Sequence, residues 1–261
     1  MSVTCQTGMN VMSRSGKNLS IRALIALLAC CGLSAQVVAA ESGIKTTYAI
    51  GSGGFDFGKT EIIRKPTTGK DGEKIVEETS TSSMNLSFGG ESYSSRSIEK
   101  MKIGPNGLLS YDADFTENGE RTVLEARWHG EVLKVRTRLG EGEEWVGLDF
   151  AKDQFDFTTP ETPPQKELKK LNKDNKKISL QWLNFYELAT ATVEINYVGT
   201  ETIKVGQTSL DCIVIVFENH QMDLQGKIWF ATDELGTFLV KEEGRNSDGP
   251  FTLTLNRYEK L

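Results

Sequence analysis

Apolar and polar side chains alternate along much of the chain. Leu109, Tyr111, Ala113 and Phe115 are interleaved with Ser110, Asp112 and Asp114. Glu117-Asn118-Gly119 then supplies the Asn-Gly pair favoured by tight hairpin turns, whose central residues need positive φ. The returning run sets Leu124, Ala126 and Trp128 against Arg121, Glu125 and Arg127. His129-Gly130 turns the chain again, and Leu133, Val135 and Leu139 oppose Lys134, Arg136 and Arg138 until Gly140-Glu141-Gly142 ends the run. Period-two patterning predicts strands with one covered face and one wet face, here in a meander.

The second half continues in this manner. Val193, Ile195 and Tyr197 alternate with Thr192, Glu194 and Asn196, and Gly199 and Gly206 bracket a short predicted strand over 201–205. Residues 212–217 are apolar on both faces, which predicts a central strand buried from both sides. Residues 226–243 predict a hairpin about Thr232-Asp233-Glu234-Leu235-Gly236, and Phe251, Leu253 and Leu255 mark a last strand. Between the halves, Pro160, Pro163 and Pro164 precede Lys166, Lys169, Lys170, Lys173, Lys176 and Lys177, so 158–178 reads as a Pro/Lys-rich insertion holding a short exposed helix or loop. Residues 180–188 read as a second short helix or as a strand entry, and 66–73 as a hairpin tip. The expected fold is mostly β: a strongly curved antiparallel meander sheet, a half-barrel or open barrel, with one or two short helices.

Arg14, Lys17 and Arg22 precede an apolar stretch from Ala23 to about Leu33, the pattern of an export signal. Val38-Ala39-Ala40 predicts cleavage after Ala40, leaving one β-rich domain over 41–261. Leu27-Leu28-Ala29-Cys30 offers a second reading, acylation of Cys30 in a membrane-anchored lipoprotein. The expected location is the periplasm or the exterior, or a membrane anchor on that second reading. The apolar stretch is shorter than the roughly 20 residues of a membrane span. Losing the three basic residues with the leader takes the formal charge from −6 to about −9, which argues against a nucleic-acid partner. Of the four cysteines only Cys212 follows the leader, so a cleaved chain forms no internal disulfide.

Catalytic and metal chemistry finds little footing. The chain has no Gly-x-Ser-x-Gly elbow, and Gly51-Ser52-Gly53-Gly54 reads as a plain turn or bulge. Two histidines, His129 and His220, and one mature cysteine are a thin ligand supply for zinc. Asp112 to Val123 lacks the glycine and glutamate of a calcium loop, and Glu143-Glu144 point to opposite faces of any strand. Cys212 reads as inert packing. No metal and no cofactor are expected, and an enzyme is not expected. The lysine segment reads as a solvated insertion, with contact to anionic lipid head groups as the alternative.

Tyr48, the glycine-rich turn from Gly51 to Gly58, the meander, "YVGTETIKVG" from Tyr197 to Gly206 and "GKIWF" with its returning strand resemble a group of uncharacterised exported bacterial domains. Such domains are distantly similar to the half-barrel carriers that localise lipoproteins in the periplasm. That resemblance implies a concave side that binds an apolar ligand: a lipid, an acyl chain or a lipoprotein segment. The expected function is a binding or chaperone-like module in envelope maintenance, with a structural or interaction protein of the envelope as the alternative and an envelope hydrolase as the lesser one. Each aromatic ring can bury about 150–250 Å², and the candidate pocket wall is Tyr111, Trp128, Trp182, Tyr197, Trp229 and Phe230. Trp229 and Phe230 cannot both face inward from a regular strand. The expected partners are an apolar small molecule or an envelope protein, bound by a monomer.

Overall fold

A computed structural model describes residues 42–261 apart from 89–90, 141, 159–164, 186, 220–223 and 247–248. The leader, with Cys30 and Ala40, lies outside the described residues, as do His220 and Tyr186. Fourteen strands follow in chain order: β1 (Ile44–Ser52), β2 (Phe55–Thr68), β3 (Lys74–Phe88), β4 (Glu91–Gly104), β5 (Gly107–Glu117), β6 (Glu120–His129), β7 (Val132–Leu139), β8 (Val146–Ala151), β9 (Lys177–Asn184), β10 (Ala189–Val205), β11 (Thr208–Asn219), β12 (Leu224–Asp233), β13 (Gly236–Asn246) and β14 (Gly249–Lys260). They form one antiparallel sheet in the order β8-β7-β6-β5-β4-β3-β2-β1-β14-β13-β12-β11-β10-β9. Two meanders are thus joined where β1 pairs with β14, and β8 and β9 are the two edges.

The sheet is bent hard. Tyr111 on β5 and Phe185, just past β9, meet at 5.2 Å between ring centroids. On a flat sheet ten inter-strand spacings of about 4.8 Å would separate β5 from β9 by roughly 45–50 Å. The meander is therefore an open, barrel-like curl with an inside and an outside. Bulges contribute to the bend: the ladder shifts at Thr47/Tyr48, at Lys102/Ile103, at Tyr197/Gly199 and at Trp229/Phe230.

Local chemistry explains the turns. Asn118 and Gly119 both have positive φ, 49° and 87°, as a two-residue primed turn requires. Gly226 and Gly244 are paired across β12 and β13, and a Cβ on either would strike a ring: 2.7 Å from Phe217 and 2.3 Å from Phe251. Absent side chains let those two phenylalanines lie over the ladder.

The structure sharpens some sequence expectations and corrects others. Of the two readings of 180–188 the strand entry holds: 180–184 belong to β9, with Leu180 and Trp182 alternating toward the inside, and none of the described residues of 180–188 is helical. The insertion over 158–178 is part of a strap from β8 to β9, with a 3-10 turn (Lys152–Gln154) and one helical turn, α1 (Gln165–Leu168); 177–178 already belong to β9. The segment 201–205 is not a separate strand but the end of the 17-residue β10, which passes Gly199 as a bulge. In β5 the shift opposite Lys102/Ile103 buries Leu108 and leaves Leu109 exposed. The strands β2, β3 and β4 have no apolar alternation to announce them, since their inward positions include Thr60, Arg64, Glu78, Ser80, Ser82, Ser95, Ser97 and Glu99, all buried.

Candidate functional site

The inside has two compartments. The first lies under β9 to β12. Val193 and Ile195 of β10, Ile215 and Phe217 of β11, and Ile228 and Phe230 of β12 face inward at alternating positions and surround a hollow that Trp182, Leu224, Phe157 and Leu168 complete. The hollow spans about 490 Å³ including its opening to solvent, with a cavity of about 40 Å³ inside. Asn219 is the polar residue in this wall.

The strap forms one side of the hollow. Asp156 and Phe157 donate backbone N–H bonds to Gln181 O at 2.8 and 3.3 Å, and Leu183 N–H donates to Phe157 O at 2.9 Å. This parallel bridge covers the free edge of β9 with three backbone bonds. Trp182 Nε1 donates to Thr158 O at 3.0 Å and its ring stacks on Phe157 at 6.5 Å. Phe155 stacks on Trp128 of β6 at 6.0 Å. Leu168 and Leu171 are buried while Lys169, Lys170, Lys173, Lys176 and Lys177 are exposed, so the strap is amphipathic. Lys170 pairs with Glu167 and Lys177 with Glu194.

The second compartment lies inside β1 to β5, where polar and charged side chains are buried among apolar ones such as Ile50, Ile62, Met84 and Met101. Arg64, 1% exposed, donates from Nη2 to Asp233 Oδ2 at 2.6 Å and lies 4.9 Å from the centroid of the Phe238 ring. Burial pulls its basicity down, but Asp233 and Glu78 outweigh that and hold it above its ordinary value. Tyr258 OH donates to the same Asp233 oxygen at 3.2 Å. Glu78 stands opposite Arg64 in the β2–β3 register, and neither of its carboxyl oxygens has a hydrogen-bond partner. Burial pushes Glu78 up to about 8 against the pull of Arg64, and Glu99 adds to the rise. Glu99 accepts from Tyr111 OH at 2.6 Å and Ser97 Oγ at 3.2 Å, yet burial still pushes it up to about 7. Thr60 and Ser82 share a hydroxyl bond of 2.9 Å.

The six predicted wall residues are distributed unevenly. Trp182 and Phe230 line the hollow. Tyr111 reaches the polar side through Glu99 and touches Phe185. Trp128 is half-buried, donating from Nε1 to Leu108 O at 2.8 Å. Tyr197 is half-buried beside the β10 bulge. Trp229 projects from the opposite face to Ile228 and Phe230, where Lys227 and Lys241 lie over its ring and Nε1 donates to Glu201 Oε2 at 2.7 Å. Period two separates it from Phe230.

Other predicted groups keep bland positions. His129 is exposed at the end of β6, and Glu143 and Glu144 are exposed. Asp112 and Asp114 pair on the outside with Arg127 and Arg121. Burial pushes the Cys212 thiol up to about 11, so it stays protonated. Among the described residues no group of three or more His, Cys, Asp or Glu could hold a metal ion, and no helix is long and apolar enough to cross a membrane. Sequence reasoning missed Arg64, Glu78, Glu99 and Glu242, because buried charge interrupts the very alternation that marks a strand. The signal that was present is β-compatible Thr and Ser between turn residues, as in Glu77 to Leu86.

No family model matches the chain and no curated protein matches it. Among solved structures, it is similar to a β-barrel-like protein of domain of unknown function DUF1849 from Brucella abortus, with a TM-score of 0.52 and 6% identity over 89% of this chain and 99% of that one. The likeness is one of fold alone, a β-barrel-like one.

Proposed function

We propose that this protein is a non-enzymatic binding module of the bacterial envelope that takes an apolar ligand, such as a lipid or acyl chain, inside its curl. One observation carries the reading: an apolar hollow under β9 to β12, closed on one side by a strap and not by a strand. Binding pockets are concave and mostly apolar, as this hollow is, but its enclosed cavity of about 40 Å³ is far smaller than the roughly 300–1,000 Å³ of a ligand pocket. The small inner cavity implies that a longer guest displaces Phe157 and Leu168, which belong to the strap and not to the sheet. The export-like leader supports a periplasmic location.

Native mass spectrometry of gently purified protein tests this. A co-purifying apolar mass is expected, and Ile228→Trp, which fills the hollow from β12, is expected to abolish it while leaving the fold intact. A clean apo mass in both proteins, with no uptake of added fatty acyl chains, would sink the reading.

A second reading, docking to another envelope protein, has its own observation. Leu139 of β7, Trp145 before β8, and Val146 and Leu148 of the edge strand β8 are all exposed. An uncovered apolar edge is a surface on which another chain can pair. Val146→Lys with Leu148→Lys is expected to remove a crosslinked partner without changing apolar uptake.

A further inference from the structure

The two edges of the sheet are treated differently. The strap covers the edge of β9 with three backbone bonds, whereas β8, the other edge, pairs only with β7 among the described residues. Edge strands are usually guarded by an inward charge, a lysine or a proline. The inward face of β8 has none: it carries Val146, Leu148 and Phe150, in line with Val135 and Leu133 of β7. Val146 is 56% and Leu148 49% exposed, and Leu139 of β7 lies exposed on the same face. The backbone of this edge is open over a short stretch. Lys152 N–H donates toward the β7 side, to Glu131 O at 3.0 Å, while Ala151 N–H is taken by Gln154 Oε1 at 2.8 Å. Backbone groups alternate sides along an antiparallel strand, so Gly147 and Asp149 direct theirs to the open edge, and Gln154 ends that stretch at Ala151.

We infer that β8 pairs with β8 of a second copy of this chain, antiparallel about a two-fold axis at Leu148. The inference rests on the second reading above, docking through β8, and names the partner. With β9 covered by the strap, a copy finds no other open edge to join, so head-to-tail addition is blocked and the assembly closes at two. In this register β8 is its own complement. Gly147 of each copy stands opposite Asp149 of the other, and each such pair exchanges both of its backbone bonds. On the inward face Leu148 meets Leu148 and Val146 meets Phe150. On the outer face Asp149 lands opposite a glycine with no side chain, which Arg136 flanks from β7. Each Asp149 therefore sits between Lys134 of its own copy, its register partner, and Arg136 of the other copy, so the charges are complementary. A two-residue slip one way sets Asp149 against Asp149 and asks Ala151 for the N–H that Gln154 holds. The opposite slip sets Trp145, which precedes the strand, against Asp149.

Analytical ultracentrifugation of the chain, expressed with its leader and purified after export, tests the pairing. So short an interface belongs to the weak, reversible class, so a dimer at about 0.1 mM that dissociates on about hundredfold dilution is expected. Leu148→Lys, at an exposed position, brings two ammonium groups together on the axis and is expected to leave a monomer with an unchanged melting temperature. Single cysteines read the register. Across a non-hydrogen-bonded pair the Cα atoms lie about 4.5 Å apart, within reach of a disulfide. Leu148→Cys is therefore expected to form a covalent dimer on mild oxidation about tenfold faster than Val146→Cys, whose two thiols are held roughly 13 Å apart along the strands. Cys212 is buried and does not compete. A wild type that stays monomeric at about 0.1 mM, or equal crosslinking at the two positions, would overturn the pairing of copies. A different envelope protein crosslinked through β8 would then leave the second reading standing, and the absence of one would take that reading down as well.

Discussion

The inward faces of β2 to β4 and of β10 to β12 are built on the same antiparallel ladder, but the first buries charges and hydroxyls beside apolar residues such as Ile62, Met84 and Met101, and the second is almost wholly apolar. On β2 to β4 the buried positions include Thr60, Arg64, Glu78, Ser80, Ser82, Ser97 and Glu99; on β10 to β12 they include Val193, Ile195, Ile215, Phe217, Ile228 and Phe230. Backbone pairing is continuous across both. The difference teaches that the ladder sets the path of the chain, while the inward side chains decide what holds each half closed. The apolar half depends on volume and packing. The polar half depends on charges and hydroxyls finding partners where water is excluded.

The largest expected effect breaks the polar half. Arg64→Met leaves Asp233, itself largely buried, without its cation, and removing one member of a buried pair typically costs about 3–5 kcal/mol. Chemical denaturation should show that loss, and adding Asp233→Asn should restore part of it. An Arg64→Met variant as stable as the wild type would mean that the ion pair contributes nothing to closing the curl. Next is the matching change in the apolar half: Leu253→Ala, at a side chain with no exposure, is expected to cost about 2–5 kcal/mol as a cavity. Its cost should not vary between pH 6 and 8.

A third prediction concerns pH, to which Glu242 on β13, raised by burial to about 8, also contributes. Glu78 and Glu99 sit above the ordinary carboxylate range in the folded chain, at about 8 and about 7. The unfolded chain releases those protons near 4.5, so between there and about 8 the folded state holds more of them. Stability present below the ordinary range is therefore lost as pH rises through 7 to 8. Asp114 and Glu234, held low by Arg121 and Lys260, titrate below that window. Glu78→Gln, which cannot ionise, should lessen the slope and raise stability at pH 8 relative to pH 6, while Glu99 and Glu242 keep the remainder of the slope. Unfolding free energies that rise from pH 6 to pH 8 in the wild type would contradict the assignment.

These contrasts also explain what was legible in the sequence. The hairpin at Asn118-Gly119, the meander from β5 to β7 and the β12–β13 hairpin follow from period two and turn chemistry, which act locally. The join between β1 and β14 does not, since pairing Ile44 with Lys260 is settled by closure of the whole sheet. Nor do β2 to β4, many of whose buried residues are polar and so resemble a wet face. Trp182 and Phe230 were legible as wall residues because apolar alternation marks them; the burial of Glu242 was not, because one glutamate among Lys241 and Glu243 looks like solvent-facing charge. Trp229 shows the limit from the other side, an apolar residue buried on the outer face beneath two lysines.

The smallest expected effect falls on the junction of the two halves. Trp128 on β6 donates to Leu108 O and stacks on Phe155 of the strap, while Phe157, two residues on, stacks on Trp182 beside the hollow. Trp128→Phe removes one hydrogen bond to a backbone carbonyl, about 0.5–1.5 kcal/mol, and reduces the ring area under Phe155. If the strap is held from the first half and closes the second, the loss should concentrate there. Amide exchange at 155–157 should accelerate while Val135 and Leu253, deep in the two ladders, keep their protection. A uniform acceleration over all strands would instead make Trp128 an ordinary core residue, and the two halves one cooperative body with no separately mobile closure.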